Sequence, residues 1–476
     1  MTMITLYFLG TLLIGAGLFI NRKKMVNYVL TSLFIVLQWG FTVYAYFHLN
    51  ATVAEYFTFD SLGFLLLLVL SIISIPAIFH SHRYIDLHNE PPKSQSIYFS
   101  ALIVLIAAIG LAYLANHIAV LWIFTEITTL AASALIYHHR NKLALEGTWK
   151  YVFICAISVA FIFIGILFLS LSLGKASSDN LSFQYLISRS TTLNPFWLKL
   201  AFLFIFTGFT VKAGLVPMFT AGVDAKDKAP GPTAALLSSV LMNMGVVGIF
   251  RTYSIIAYTP LQHWANIVIG ISAVLSIFVA TVYMIKVKNI KRMFAYSSIE
   301  HMGLVMLAIS IGGIGYYAAI LHIVLHAFVK SSLFFQYNQI YRVYQDKSVN
   351  HIGNYFKYNP TGAIVVLLGF ISATAIPPSG LFVSEFLIFR ALFEGHQIFI
   401  LIAVLLLLTI IIWAFAKNIL KVLFTPIPNF DESQVPVIKP WESYTQLALI
   451  ILSIYLGLTP PDFFVQLIKE SVMFLS

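Results

Sequence analysis

Charge is the scarcest thing in this sequence. Of 476 residues only 10% are Asp, Glu, Lys or Arg, while 60% are hydrophobic. A soluble domain carries roughly 25% charged residues, so this chain cannot cover itself with a water-compatible surface. That excludes a soluble enzyme, a nucleic-acid-binding protein and a disordered chain. Cysteine is almost missing as well. Cys155, standing alone, can form no internal disulfide and cannot supply an iron–sulfur or thiolate-zinc site. No A-x-A-like cleavage site follows the apolar stretch 4–20, so that stretch is expected to be a retained first span and not a signal peptide. No cofactor-binding motif is present, and no loop between the apolar runs is long enough to house a soluble catalytic domain.

What is present is a succession of apolar runs, with a mean hydropathy of +0.90. A spanning helix needs about 20 mostly apolar residues. On that measure fourteen spans begin near residues 4, 26, 60, 96, 117, 151, 197, 233, 264, 293, 315, 361, 397 and 442, and the tail after Pro461 is amphipathic and interfacial. The net charge of +10 follows from basic residues gathered in alternate loops. Loops after the odd-numbered spans hold 20 Lys and Arg, and the opposite side holds five: Lys175, Arg189, Lys199, Arg390 and Lys469. Cytoplasmic loops concentrate basic residues, so both termini are expected on the outer side. Arg251 reads as a boundary anchor. His80, His82, His88, His138 and His139 read as cytoplasmic-loop residues that contact a partner or lipid headgroups. The expected fold is an all-α polytopic membrane protein of about 14 helices.

Two spans carry helix-breaking residues at membrane depth. One is Lys212-Ala-Gly214-Leu-Val-Pro217, and the other is Ile376-Pro377-Pro378-Ser-Gly380, leading into Glu385. Lys212 and Pro377 are 165 residues apart, close to the 168 that separate the starts of spans four and nine. Matching interrupted helices in two halves mark an inverted-repeat transporter. The expected organisation is an N-terminal three-helix segment (1–95), a first five-helix repeat holding an input half-channel (96–263), a second repeat holding an output half-channel (264–423), and a C-terminal helix with its tail (424–476). Irregular backbone survives in a membrane only where protein or water satisfies its polar groups, so both breaks point to hydrated cavities.

Ionisable residues inside spans are costly, at least ~2.5–3.5 kcal/mol each on insertion scales, and normally mark ion or proton paths. Glu126 lies mid-span, Lys212 lies at the first break, and Glu385 lies just beyond the second. His322, His326 and Lys330 follow i, i+4, i+8 spacing, which puts them on one helix face. Together they form a series of acid, base and imidazole groups through an apolar body. The proton affinity of a buried lysine depends on desolvation and on any nearby carboxylate, so moving the carboxylate moves the affinity, and histidines can pass protons between such sites. Other readings stay open. Glu126 and Lys212 could form a purely structural ion pair, Lys330 could be a snorkelling anchor, and His322 with His326 could be a zinc pair. No third ligand of the right type is apparent, and no metal site is expected.

At these residues the chain resembles the antiporter-like, proton-conducting subunits shared by complex I, multisubunit cation/proton antiporters and membrane-bound hydrogenases. The resemblance rests on Trp122-Ile-Phe-Thr-Glu126, Lys212-Ala-Gly-Leu-Val-Pro217, Ala229-Pro-Gly-Pro-Thr-Ala-Ala-Leu-Leu237, Lys291-Arg-Met-Phe-Ala-Tyr-Ser-Ser298, His326-Ala-Phe-Val-Lys330 and Pro377-Pro-Ser-Gly-Leu-Phe-Val-Ser-Glu385. It implies that Glu126 and Lys212 are the ion pair of the input half-channel. It also makes His322, His326 and Lys330 the central relay and Glu385 the terminal group. Ser297-Ser-Ile-Glu300-His301-Met-Gly303, and Asn243 where many relatives carry a bridging lysine, are similar to the F-type membrane subunit of hydrogenase-4. Glu300 and His301 would help fill the gap that Asn243 leaves between Lys212 and His322. Lys226, in Val223-Asp-Ala-Lys226, departs from the family's Pro-x-Ala-His and would alter proton uptake from that cytoplasmic loop. The long lateral helix of the distal complex I subunit is expected to be missing.

The resemblance therefore implies a proton-translocating membrane subunit with no active site of its own, part of a hydrogenase-4-like or complex I-like redox complex in a bacterial or archaeal cytoplasmic membrane. Nickel–iron and iron–sulfur centres or quinone would belong to partner subunits, a peripheral redox arm and other membrane subunits. A cation/proton antiporter subunit, and a membrane partner in proton-driven bicarbonate or CO₂ uptake, are the alternatives.

Overall fold

The computed structural model describes residues 3–53, 56–174, 180–428 and 430–473. Lys175, counted above among the outer basic residues, lies outside them. Among the described residues, twelve helices are long and apolar enough to cross a membrane. A thirteenth is reached if the pair Pro440–Leu458 and Asp462–Val472, bent by 73°, is one span. The stretch expected as span twelve is two shorter helices, Pro360–Ala373 and Gly380–Glu394, of 14 and 15 residues. Strand is confined, among the described residues, to a two-residue pairing of Thr52–Val53 with Phe57–Thr58.

Helix starts follow short polar residues placed between apolar runs. Asn141, Asn194, Asn289, Asn359 and Ser379 each accept a hydrogen bond from a backbone N–H of the helix that follows. Such caps satisfy donors that have no partner within the helix, each worth about 1 kcal/mol. Pro195 and Pro360 occupy first-turn positions, where no N–H is needed.

The chain divides into two compact units. Of the described residues, the first comprises those within 3–233, 240–267 and 467–473, and the second those within 234–239 and 268–466. In the first, the helix Val240–Ile256 is buried along its whole length. Large apolar side chains such as Leu13 and Phe153 stay exposed there, as a lipid-facing surface requires. Asp60 caps Ser61–Leu87 and also receives Arg251: Nη1 lies 2.8 Å from Oδ2, and Nη2 donates to the Tyr113 carbonyl at 2.8 Å. Arg251 is thus a buried structural partner and not a free boundary anchor. His80 and His82 lie within Ser61–Leu87 and are buried, not in a loop. The His82 ring stacks on Tyr28, and its Nε2 is 2.9 Å from Thr31 Oγ1. His138 is buried too, with Nε2 3.3 Å from Glu90. The tail helix Asp462–Val472 buries Leu467 and Ile468, and Glu470 accepts from Ser61 Oγ at 2.6 Å.

The break in this unit is built by glycine and proline. Pro195–Ala213 stops at Gly214, whose φ of 74° is left-handed and whose N–H returns to the Thr210 carbonyl. A cis Val216–Pro217 bond follows, and the chain resumes as Thr220–Lys228. Gly245 lets the neighbouring helix approach here. A Cβ at Gly245 would stand 2.3 Å from the Ala213 nitrogen and 2.7 Å from the Lys212 carbonyl carbon.

In the second unit every residue of the central apolar stretch of Ile314–Tyr344 is buried, whereas Ile398–Phe424 buries only 28% of its own and presents the rest outward. The break between Pro360–Ala373 and Gly380–Glu394 contains a cis Pro377–Pro378 bond. Gly380 then meets Gly457 backbone to backbone, and a Cβ on Gly457 would lie 2.2 Å from the Gly380 Cα.

Candidate functional site

The first unit places Glu126 and Lys212 on different helices. Lys212 occupies the last turn of Pro195–Ala213 because Gly214 ends the helix two residues later. A cation at a helix C-terminus is favoured by the backbone dipoles. Lys212 is 3% exposed, and its ammonium donates to Thr129 Oγ1 at 2.9 Å and to the Tyr151 hydroxyl at 3.1 Å, with the Tyr151 ring centroid 5.2 Å away. Glu126 is not within ion-pair distance of it. Thr129 stands one turn beyond Glu126 on the same helix, Ile118–Ile136, and is the hydroxyl that Lys212 meets. Glu126 Oε2 has no hydrogen-bond partner among the described residues. A buried acceptor in that state needs a proton, a water or a moving cation to satisfy it.

Lys226 is not on a loop. It is buried on the helix Thr220–Lys228 with Nζ 3.0 Å from Met242 Sδ, and the same Met242 side chain packs against Gly214 at the break. Asn243 is fully buried on Val240–Ile256.

The second unit gathers the remaining residues around one ring. His322, His326 and Lys330 all lie on the unbroken helix Ile314–Tyr344 and are fully buried. The imidazole of His301, from Ile290–Ile311, stands 5.1 Å centroid to centroid from His322 and 5.2 Å from His326. His301 Nδ1 is 3.0 Å from His322 Nε2. On its other edge, His301 Nε2 must donate, because its partner at 3.1 Å is the Ala373 carbonyl at the end of the broken helix. His322 Nδ1 meets Ser384 Oγ at 2.9 Å, and Glu385 Oε1 lies 3.8 Å from His301 Nδ1. Lys330 donates to Ser297 Oγ at 2.6 Å, one turn before His301. Glu300 Oε2 is 3.7 Å from His301 Nε2.

A cavity of about 190 Å³ opens beside this cluster, lined by Glu300, Thr374, Glu385, Phe386 and Thr409 among others. It exists because the broken helix leaves residues 374–379 without helical backbone across that width. It reaches both carboxylates, so water there can exchange protons with the histidine cluster.

Several residues in this geometry are not legible as functional from the sequence. Thr129 and Ser297 sit one turn from Glu126 and His301, a spacing that could have flagged them. Ser384 precedes Glu385. Tyr151 gives no local signal, because its contact with Lys212 bridges 61 residues.

Long apolar helices around buried lysine, histidine and glutamate groups define a multi-pass membrane subunit of the antiporter-like class. Residues 115–411 match the family described as NADH:quinone oxidoreductase/Mrp antiporter, transmembrane, and the chain belongs to that family. It is 28% identical over 347 residues to the hydrogenase-4 component F homolog of Methylacidiphilum infernorum, covering 71% of this chain and 73% of that one. Its fold is similar to a chain of an archaeal membrane-bound sulfane sulfur reductase, with a TM-score of 0.86 and 20% identity over 99% of this chain and 96% of that one. It is similar also to a chain of the Mrp complex from Dietzia sp. DQ12-45-1b, with a TM-score of 0.83 and 14% identity over 100% and 97%. Both structures are multisubunit membrane complexes, and this likeness shows the fold.

Proposed function

We propose that this chain is the proton-translocating membrane subunit of a hydrogenase-4-like or complex I-like redox complex in a bacterial or archaeal cytoplasmic membrane. Both termini would face outward, and each half would be one of two inverted five-helix repeats. Redox centres, whether nickel–iron, iron–sulfur or quinone, would reside in partner subunits. The observation that carries the reading is the state of the buried ionisable groups. Lys212 and Lys330 are each held by neutral hydroxyls and not by a carboxylate within ion-pair distance. A buried cation left without a tight counter-ion is expensive as a structural device. It suits a group that gains and loses a proton as a carboxylate approaches or withdraws.

In the first half, Glu126 takes up a proton and Thr129 bridges toward Lys212. In the second, Lys330, His326, His301 and His322 pass it toward Glu385 and the hydrated cavity, with Glu300 modulating the field. Lys226 and Asn243 would tune uptake and transfer. The test is Lys212→Ala in the intact complex, with electron transfer and proton pumping measured together. Pumping should fall while electron transfer persists or slows with it, and undiminished pumping would overturn the relay. A cation/proton antiporter subunit is the second reading, because the family description covers Mrp antiporters as well as NADH:quinone oxidoreductases. Rescue of a sodium-sensitive strain at alkaline pH by the chain's own operon would favour it.

A further inference from the structure

We infer that His301, His322 and Glu385 form a binding site for one divalent transition-metal ion of the Zn²⁺ class. Three helices of the second unit each supply one ligand: Ile290–Ile311, Ile314–Tyr344 and Gly380–Glu394. One ligand atom from each residue lies within 4.8 Å of the other two, and all three residues are buried. Two imidazoles and one carboxylate are a zinc ligand set with a fourth position open, which a water can occupy. The cavity that touches Glu385 supplies that water.

The hydrogen bonds around the ligands point the same way. A metal-bound imidazole donates its outer N–H to a fixed acceptor, which sets the tautomer and the ring orientation. His301 already does so, because Nε2 faces the Ala373 carbonyl. His322 has the same arrangement within reach. Its Nδ1 faces Ser384 Oγ, and that hydroxyl has the Leu381 carbonyl 3.0 Å away to donate to. With both outer nitrogens donating, His301 Nδ1 and His322 Nε2 turn lone pairs toward each other across 3.0 Å. Two lone pairs at that distance need a cation between or beside them. With no cation, Ser384 turns its hydrogen to His322 Nδ1, and His322 Nε2 donates to His301. The serine hydroxyl therefore has one orientation for the bare pair and another for the ion-bound pair.

Zn–N bonds are about 2.0–2.1 Å, so binding needs the two nitrogens to part by a few tenths of an ångström. The consequence for transport rests on the proton-conduction reading. An ion here occupies the inner lone pairs and carboxylate through which protons pass, and so blocks conduction in this half. Binding itself does not depend on that reading.

The full chain in lipid nanodiscs tests it, with Zn²⁺ uptake by equilibrium dialysis and Co²⁺ absorption in the visible as the coordination signature. One ion per chain should be lost in His301→Gln and His322→Gln and retained in Lys212→Ala. Ser384→Ala removes only the outer acceptor and should weaken binding about 10–100-fold, so it carries the test should a histidine variant fail to fold. Uptake and absorption unchanged across these variants would place the ion elsewhere and overturn the site. Ion bound at this site with proton flux undiminished would leave the site standing and overturn the conduction role of the pair.

Discussion

His301 Nδ1 and His322 Nε2 stand 3.0 Å apart although they belong to separate helices and lie 21 residues apart in the chain. That contact makes His301, and not the i, i+4 pair of His322 with His326, the centre of the second cluster. His301 is also the residue that ties this cluster to the broken helix, through the Ala373 carbonyl. His301→Gln keeps the bulk but removes the ring, and proton translocation should fall on the order of tenfold or more while the complex still assembles. Native translocation in that variant, measured by pH-dye quenching in proteoliposomes, would remove His301 from the path.

Lys212 depends on two hydroxyls. Tyr151→Phe deletes one hydrogen bond to the ammonium, an interaction worth roughly 1.5–3 kcal/mol. Translocation should drop measurably, with Lys212→Ala the more severe change. Equal activity of Tyr151→Phe and wild type would show that Thr129 alone positions the ammonium.

Backbone-to-backbone approach sets the geometry of both breaks, so glycine there cannot be exchanged cheaply. Gly245→Ala would push a methyl against the Lys212–Ala213 backbone, and overpacking of this kind costs typically 1–3 kcal/mol. Gly222→Ala serves as the control, because a Cβ there meets nothing within 4 Å. Thermal unfolding in detergent should place Gly245→Ala clearly below wild type and the control beside it.

Arg251 and Asp60 are a structural pair. Arg251→Ala takes the guanidinium from the Tyr113 carbonyl and from the partly buried Asp60 carboxylate, which keeps only the Gly63 N–H, a loss of about 1–3 kcal/mol. The fall should appear in the melting temperature, while the transport rate per folded molecule stays unchanged. A variant that is stable but inactive would move Arg251 from scaffold to pathway.

Outside the spans, Lys357 and Tyr358 hold the Glu432 carboxyl below its ordinary value by hydrogen bonding, with Lys357 Nζ 2.6 Å from Glu432 Oε1. A carboxyl with a depressed native value contributes stability that is present above its unfolded pKa and lost as pH falls through the depressed one. Protection against hydrogen exchange in 430–434, corrected for the intrinsic pH dependence of the exchange rate, should therefore stay flat from pH 8 to 5 and fall only below the ordinary carboxyl range. High salt should produce part of the same effect at neutral pH, because the pair is exposed. Protection that falls between pH 7 and 5 would assign the docking to another group.

Much of this protein could be read in one dimension. Residues 212–217 and 376–380 announce both breaks because a left-handed glycine at 214 ends one helix and consecutive prolines at 377 and 378 cannot continue the other. The i, i+4, i+8 spacing of His322, His326 and Lys330 put them on one buried face for the same local reason. What stayed hidden was every partner reached across the fold. Arg251 read as an anchor until Asp60 was beside it, and Lys226 read as a loop residue although it is buried on the helix Thr220–Lys228. The expected contact of Glu126 with Lys212 is replaced by Thr129 and Tyr151.

The amino-acid sequence by itself determined that the chain lies in a membrane, where two of its helices break and which titratable groups are carried to membrane depth. These are consequences of hydropathy, backbone sterics and helical period, all of them local. Only the tertiary structure decided which of those groups touch. Burial and spacing give a residue's depth and face, but a 3.0 Å contact between His301 and His322, or between Lys212 and its hydroxyls, depends on how close two helices can come. For Lys212 and Tyr151 that approach is set by residues such as Gly208, where a Cβ would stand 2.8 Å from the Ser158 carbonyl oxygen of the helix that carries Tyr151, so its effect is exerted on another part of the chain.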